Sequence, residues 1–451
     1  MKHHRAGRAA VASLTAVVLA LTATACGDDG SGYNSGKEGS GKGGITFWDN
    51  NGGARTAVWQ KIIDAFEKEN PDIDVTYVPV PLADVQSKYD KAIAGGGLPD
   101  VGGVGTSYLA GMVAQDALEP VGRRIEDSGL RGRLSESMVE SVASAGGRGE
   151  ELYSVPTSGN QGVLWYRTDL FRAAGLKAPG TWGQFYSAAE RLTDTGRNEF
   201  GFTLRGGAGS VAQALDMMYA QSGVGTFWNG DRTTVNHPEN VRALEKYVGL
   251  YEKVTPSADL NNDFAAMVAQ FGQGEIGMLQ HNLGSYADHV EAFGEDGIDG
   301  SPLPPATDGG PRTVVSHPVD GLGLFRSSKN KAAAWKFIEF AASHEMNSLW
   351  NQEAGSIPAN KDAMGDAWIN EVKPVKAAMR SLNDPRTEVV QPPYHLPDWN
   401  HISKAGTELD FQELLLGEVT AQRFADTLAG LLNESQAEWK QQQKQRQRQR
   451  Q

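Results

Sequence analysis

The sequence predicts an α/β protein, and two observations carry that prediction. Between residues 45 and 104, apolar runs of strand length alternate with amphipathic helical stretches in the order strand, helix, strand, helix, strand. That order is the pattern of a parallel sheet covered by helices. Beyond Tyr153 the pattern turns helix-rich, and 451 residues are enough for two or three cores.

Ile45-Thr46-Phe47-Trp48 reads as the first strand and runs into the polar loop Asp49-Asn50-Asn51-Gly52-Gly53. In residues 58–69, Val58, Ile62, Ala65 and Phe66 fall on one helical stripe that stops at Asn70-Pro71. Residues 74–80 alternate as a second strand, 83–94 form a helix closed by Gly95-Gly96-Gly97, and 100–104 are a third strand. In such a sheet ligands lie beyond the carboxyl ends of the strands, so loops 49–53 and 105–108 should face one crevice. Further on, Thr181 caps a helix over 184–193, and amphipathic helices are expected at 241–251 and 263–271. Strands are expected at 200–204 and 276–279, and Trp228 looks like a hairpin residue. A Pro/Gly-rich joint at 303–311 leads to a strand at 321–325 and a helix at 331–343. After 355–358 the chain should be helical to about 439, and the Gln/Lys/Arg tail 440–451 reads as a frayed helix end or disorder. No repeat is visible.

With 42 Lys+Arg against 55 Asp+Glu the net charge is −13, which argues against nucleic acid as a partner, since that affinity needs clustered cations. The single cysteine, Cys26, excludes an intramolecular disulfide, a multi-Cys zinc site and a CxxC redox pair. Lys2, Arg5 and Arg8 precede an apolar run over 11–21 that is too short to span a bilayer, the layout of a signal peptide over 1–25. Ala23-Thr24-Ala25 then leads into Cys26, which resembles a bacterial lipobox with Ala23 where Leu is usual, so diacylation of Cys26 is expected. The alternative is an ordinary secreted protein with an incidental thiol. Residues 26–44 are Gly/Ser-rich and read as a flexible tether.

Seven stretches in order resemble one family: ITFW, AFEKENPDIDVTYVPV, GGGLPDV, YSVPTSGNQGVLWYRTDLFRAAGLKAPGTWGQF, FGQGEIGML, AAAWKFIEFAAS and GSIPANKD. They are similar to the extracellular solute-binding proteins, family 1, of ABC-type carbohydrate importers. The resemblance implies a two-lobed, Venus-flytrap α/β fold of the periplasmic-binding-protein kind with a multi-strand hinge. It also implies capture of a mono- or oligosaccharide by closure and delivery to permease subunits. By the same resemblance the chain crosses between lobes near 157–164, 303–313 and 355–360. The first lobe is then 45–157 with 313–354, and the second 158–312 with 355–439. The expected partners are a small-molecule carbohydrate, the permease and a membrane reached through the lipid. The protein should act as a monomer on the extracytoplasmic face.

A hydrolase is the competing class, and a binding protein for a polyol the competing ligand. No Gly-x-Ser-x-Gly elbow occurs in the body, and the linker's near-match to a P-loop has Gly43 where Ser or Thr is needed. His344-Glu345 is followed by Ser348 where a zincin needs its second His. Paired carboxylates are always available among so many acids, but nothing singles out a dyad. No catalytic residue, cofactor or metal is therefore expected.

Sugars present hydroxyls in fixed geometry and apolar C–H faces, which call for short polar groups and aromatic planes. The first-lobe candidates are Trp48, Asp49, Asn50 and Asn51 after the first strand, and Thr106 and Ser107 after the third. Asn160 and Gln161 lie at the first crossing, Arg205 follows the 200–204 strand, and Asp320-Gly321 lies where the chain returns. The resemblance adds Asn282 and Ser285 in QHNLGSY and the aromatics Tyr394 and Trp399 in QPPYHLPDWNHI, with Trp399 stacking on the sugar. Trp165, Trp182, Trp228 and Trp335 are assigned to packing. The acidic balance favours neutral sugars, with one arginine able to select a uronate.

Overall fold

The computed structural model describes residues 37–53 and 55–450. The expected signal peptide, Cys26 and most of the tether lie outside them. Among the described residues the strands run β1 (Gly43–Asp49), β2 (Ile73–Pro79), β3 (Val101–Gly103), β4 (Val155–Gly159), β5 (Gly162–Arg167), β6 (Trp228–Asn229) and β7 (Arg232–Thr233). They continue β8 (Met278–Asn282), β9 (Ile298–Ser301), β10 (Thr313–Val315), β11 (Asp320–Leu324), β12 (Ile357–Pro358) and β13 (Glu388–Val390). Helices α1 (Thr56–Glu69), α2 (Val85–Gly95) and α3 (Thr106–Ala114) follow β1, β2 and β3.

The first sheet has the order β12-β4-β11-β3-β1-β2. β1 is parallel to β2 and β3, as the alternation predicted, but β11 enters antiparallel to both β3 and β4, so the sheet is mixed. Because β11 is reversed, its first residue, Asp320, sits at the same edge as the carboxyl ends of β1, β3 and β4. One sheet edge thus collects Asp49, Gly103, Gly159 and Asp320, from four separate parts of the sequence. Alternation explains the burial: Ile45 and Phe47 enter the core, where Phe47 meets Trp59 of α1 at 4.8 Å, and Phe66 meets Phe337 at 5.2 Å.

β4 leaves this sheet at Gly159, and after two intervening residues β5 begins the centre of a second, three-stranded sheet, β8-β5-β9. Its period-2 pattern divides the interior. Val163 and Trp165 join the core beneath the first sheet, while Leu164 packs in a second core with Met278 and the helices of 182–250 and 399–432. β10 pairs in parallel with β13, and Val315 and Val390 both enter that second core, so the return to the first sheet falls at Ser316–Val319.

Three expectations change. Residues 200–204 form no strand, only isolated parallel bridges from Phe200 to Ile276 and from Thr203 to Leu279, the latter on the edge of β8 that β5 leaves free. The region after 358 is broken by β13 and the proline-rich loop behind it. The tail is not frayed: one helix runs Ala421–Arg450, with Trp439 edge-on to His395 at 4.6 Å and the Gln443 amide donating to the Gly147 carbonyl at 3.0 Å. Trp228 does sit in a hairpin, and Trp165, Trp182 and Trp335 are buried.

Candidate functional site

The loops at the shared edge of the first sheet face the β8 end of the second sheet across a cavity of about 480 Å³. From the first sheet come Asn50 and Asn51 after β1, Arg55 before α1, Ser107 and Tyr108 at the start of α3, and Asp320. From the other side come Asn160, Arg205, Gln213, Asp216, Phe264, Gln280, His281 and Asn282, with Asp288, His317 and Lys404 completing the wall. Contacts cross the gap: Arg55 Nη2 donates to the Gly284 carbonyl at 2.8 Å, Asn400 donates to Gln86 at 3.3 Å, and the Lys404 ammonium lies 5.4 Å from the Tyr108 ring centre.

Of the expected residues, the structure gathers Asn50, Asn51, Ser107, Asn160, Arg205, Asn282 and Asp320 in this wall. The others are used for support. Asp49 is buried; its carboxylate accepts from the Asn51 backbone at 3.0 Å and from the Tyr77 hydroxyl at 2.9 Å, which shapes the loop that presents Asn50. Burial pushes its carboxyl up to about 6. Thr106 exchanges two bonds with Val319, accepting from its N–H at 3.1 Å and donating its own N–H at 2.9 Å, and so ties α3 to the entry of β11. Gln161 bridges to Ser316 and takes the Leu283 N–H on its carbonyl at the crossing. Ser285 is buried against His281 and the Asn282 carbonyl, each at 3.2 Å, fixing the loop that carries Asn282.

Four expectations are corrected. Trp48 packs on Tyr89 at 5.6 Å and under the Lys88 ammonium, away from the cavity. Gly321 permits a close approach, but to the neighbouring strand: a Cβ there would lie 2.3 Å from Ser154 Oγ. Tyr394 donates its hydroxyl to the Ser316 carbonyl at 2.8 Å and stands edge-on to Trp399. Trp399 is 5% exposed in the second core, 6.0 Å from Phe227, where the pairing of β13 with β10 brings the helix that it opens, Trp399–Lys404, against that core.

The aromatic surfaces of the cavity are instead Tyr108 and Phe264, the latter stacked on His281 at 4.7 Å. Asp216 had a signal in the sequence, an acid inside the apolar helix Ser210–Ser222, and is held by Gln280 Nε2 at 2.6 Å and His317 Nε2 at 2.8 Å. Burial pushes the Asp320 carboxyl up, the Lys404 ammonium down to about 8 and the Arg205 guanidinium down to about 10. Two buried polar atoms in this wall, Asn160 Oδ1 and Arg205 Nε, have no partner among the described residues.

A mixed sheet and a second sheet joined by crossings, with a polar cavity between them, define a two-lobed binding protein. The chain matches the family model of the bacterial extracellular solute-binding proteins over residues 51–348. It belongs to that family, whose members are binding proteins and not enzymes. It is 25% identical over 398 residues to the mannitol-binding protein of Pseudomonas aeruginosa, covering 84% of this chain and 87% of that one. An ABC transporter solute-binding protein of Agrobacterium vitis with bound D-mannitol superposes with a TM-score of 0.70 at 25% identity, over 88% of this chain and 99% of the other. The Listeria monocytogenes ABC substrate-binding protein in complex with cycloalternan gives 0.75 at 24% identity over the same shares, a likeness of fold.

Proposed function

We propose that the protein is the substrate-binding component of an ABC importer for a small polyhydroxylated solute, a carbohydrate or a polyol. The observation that carries this reading is the 480 Å³ cavity, where Asn50, Asn51, Ser107, Asn160 and Asn282 converge from both sheets beside the rings of Tyr108 and Phe264. Amides and a hydroxyl suit sugar hydroxyls, and the rings suit C–H faces. The mannitol-binding relatives favour the polyol arm. We place the lobes at about 45–157 with 320–354, and 158–315 with 355–439. The pairing of β10 with β13 supports a second crossing at 316–319 rather than 303–313. Closure of the lobes holds the solute for a permease. The mature chain is a monomer tethered on the extracytoplasmic face by a diacyl group on Cys26, two chains being enough for stable attachment.

The test is a thermal-shift panel of sugars and polyols, followed by analysis of the incubated solute. A native-state ligand raises stability by RT ln(1 + [L]/Kd). The reading expects a shift with the solute recovered intact, and cleaved product that scales with protein would overturn it. Mass spectrometry of membranes tests the anchor: a lipid on Cys26 is expected, and an unmodified thiol would refute it.

A further inference from the structure

Among the described residues, two cations of the cavity wall leave most of their donors without acceptors. Arg205 is 8% exposed; its Nη1 makes one long bond, 3.4 Å to the Gly209 carbonyl, and its Nε has no acceptor. Among the described residues Lys404 makes no hydrogen bond from its ammonium, which lies 5.4 Å from the Tyr108 ring centre and within the field of Asp320. The two are fixed to one point of the backbone, because Gly209 accepts from Arg205 on its carbonyl while its N–H donates to the Lys404 carbonyl at 2.9 Å. Among the described residues neither forms an ion pair.

The nearby acids are committed elsewhere or stand off. Asp216 is shared by His317 and Gln280, and Asp263 caps its own helix through the Ala266 N–H at 2.9 Å. Asp320 pulls on both Lys404 and Arg55 without forming a pair with either. A buried guanidinium without an acceptor is costly, and two like charges fixed together are costlier. An oxyanion from outside would satisfy both at once, since guanidinium and ammonium are the standard donors for carboxylate and phosphate. Asn50, Asn51 and Asp320, from the first sheet's side of the wall, offer acceptors for hydroxyls.

We propose that the solute carries one anionic group, a carboxylate or a phosphate, seated between Arg205 and Lys404, with its hydroxyl-bearing part toward Asn50, Asn51 and Asp320. The proposal rests on the solute-binding reading above and narrows it from neutral sugars to sugar acids or phosphorylated polyols.

The experiment is calorimetric titration at pH 7 with matched probes: D-glucuronate against D-glucose, D-gluconate against D-mannitol, and sn-glycerol 3-phosphate against glycerol. The charged member of at least one pair should bind tenfold or more tightly than its neutral match, and added salt should weaken that probe alone. The carboxylate and phosphate pairs decide between the two anions. Lys404→Gln should cost the charged probe tenfold or more, and several times what it costs the neutral match. Arg205→Lys, which keeps the charge but loses the fork, should cost the same probe severalfold with an unliganded melt near the parent's. Neutral probes binding as tightly as charged ones, or equal losses for both in Lys404→Gln, would overturn the anion and leave the binding protein intact. Failure of every probe on folded protein would count against both readings.

Discussion

A tryptophan's position decides what its loss costs. Trp399 is in the second core, so Trp399→Ala should lose on the order of 3–5 kcal/mol of stability, read as a lower melting temperature. The variant that still folds should keep its solute affinity within about threefold by calorimetry; a tenfold loss of affinity with an unchanged melt would return the ring to the site. The sequence showed a tryptophan among prolines but not which way the loop turned, since that depends on the pairing of β13 with a strand far upstream. His289 makes a second prediction. Its ring nitrogens have no partner among the described residues, it lies between Trp165 at 4.9 Å and Phe271 at 5.0 Å, and burial drives its pKa down to about 3. The unfolded chain binds this proton near 6.5 and the folded one does not, so the stability from this site is complete above 6.5 and is lost as pH falls toward 3. The slope approaches about 1.4 kcal/mol per pH unit in that window. Urea unfolding of His289→Phe against pH should show a shallower acid decline than the parent, and parallel curves would contradict the assignment.

Among the elements, β3 controls the site most directly. At Gly103 a Cβ would fall 2.0 Å from Asn50 Oδ1 and 2.9 Å from the Asn50 nitrogen, so the carboxyl end of β3 can lie against the β1 loop only without a side chain. Gly103→Ala should displace Asn50 and lower solute affinity tenfold or more, whereas Gly44→Ala in β1, with no atom within 4 Å of its added carbon, should change neither affinity nor melt. Equal behaviour of the two variants would refute the role given to β3. The first three strands and their helices were legible because their periodicities are local: α1 stops at Glu69, before Asn70-Pro71, and its buried stripe is Val58, Ile62 and Phe66 with Trp59 and Ile63. The antiparallel insertion of β11 between β3 and β4 was not legible, since no local pattern distinguishes a strand that runs against its neighbours. The same limit applies to the site. Asn50, Ser107 and Asp320 could be found as strand-end residues, but Lys404 and His317 face the cavity only through tertiary packing.

At the scale of the whole molecule, the hinge closure proposed above can be tested at the bonds that cross the cavity. Arg55 reaches the Gly284 carbonyl from the opposite lobe, a charged hydrogen bond worth roughly 1.5–3 kcal/mol. Arg55→Ala should weaken solute binding tenfold or more and enlarge the solute-free radius of gyration measured by X-ray scattering. An unchanged radius in both the variant and the solute-titrated parent would rule out hinge motion. The strand order has a further consequence, for time rather than geometry. A chain released N-terminus first presents β1, β2 and β3 long before residues 320–324 arrive to cover the open side of β3, and the short strand at 357–358 comes later still. Throughout that wait a row of unpaired backbone groups is available to any other extended chain, which makes the half-emerged protein most prone to aggregate when its latter part is delayed. Slowing synthesis between residues 104 and 320 should therefore reduce the soluble yield more than the same delay after residue 358, although the finished molecule is identical in both cases.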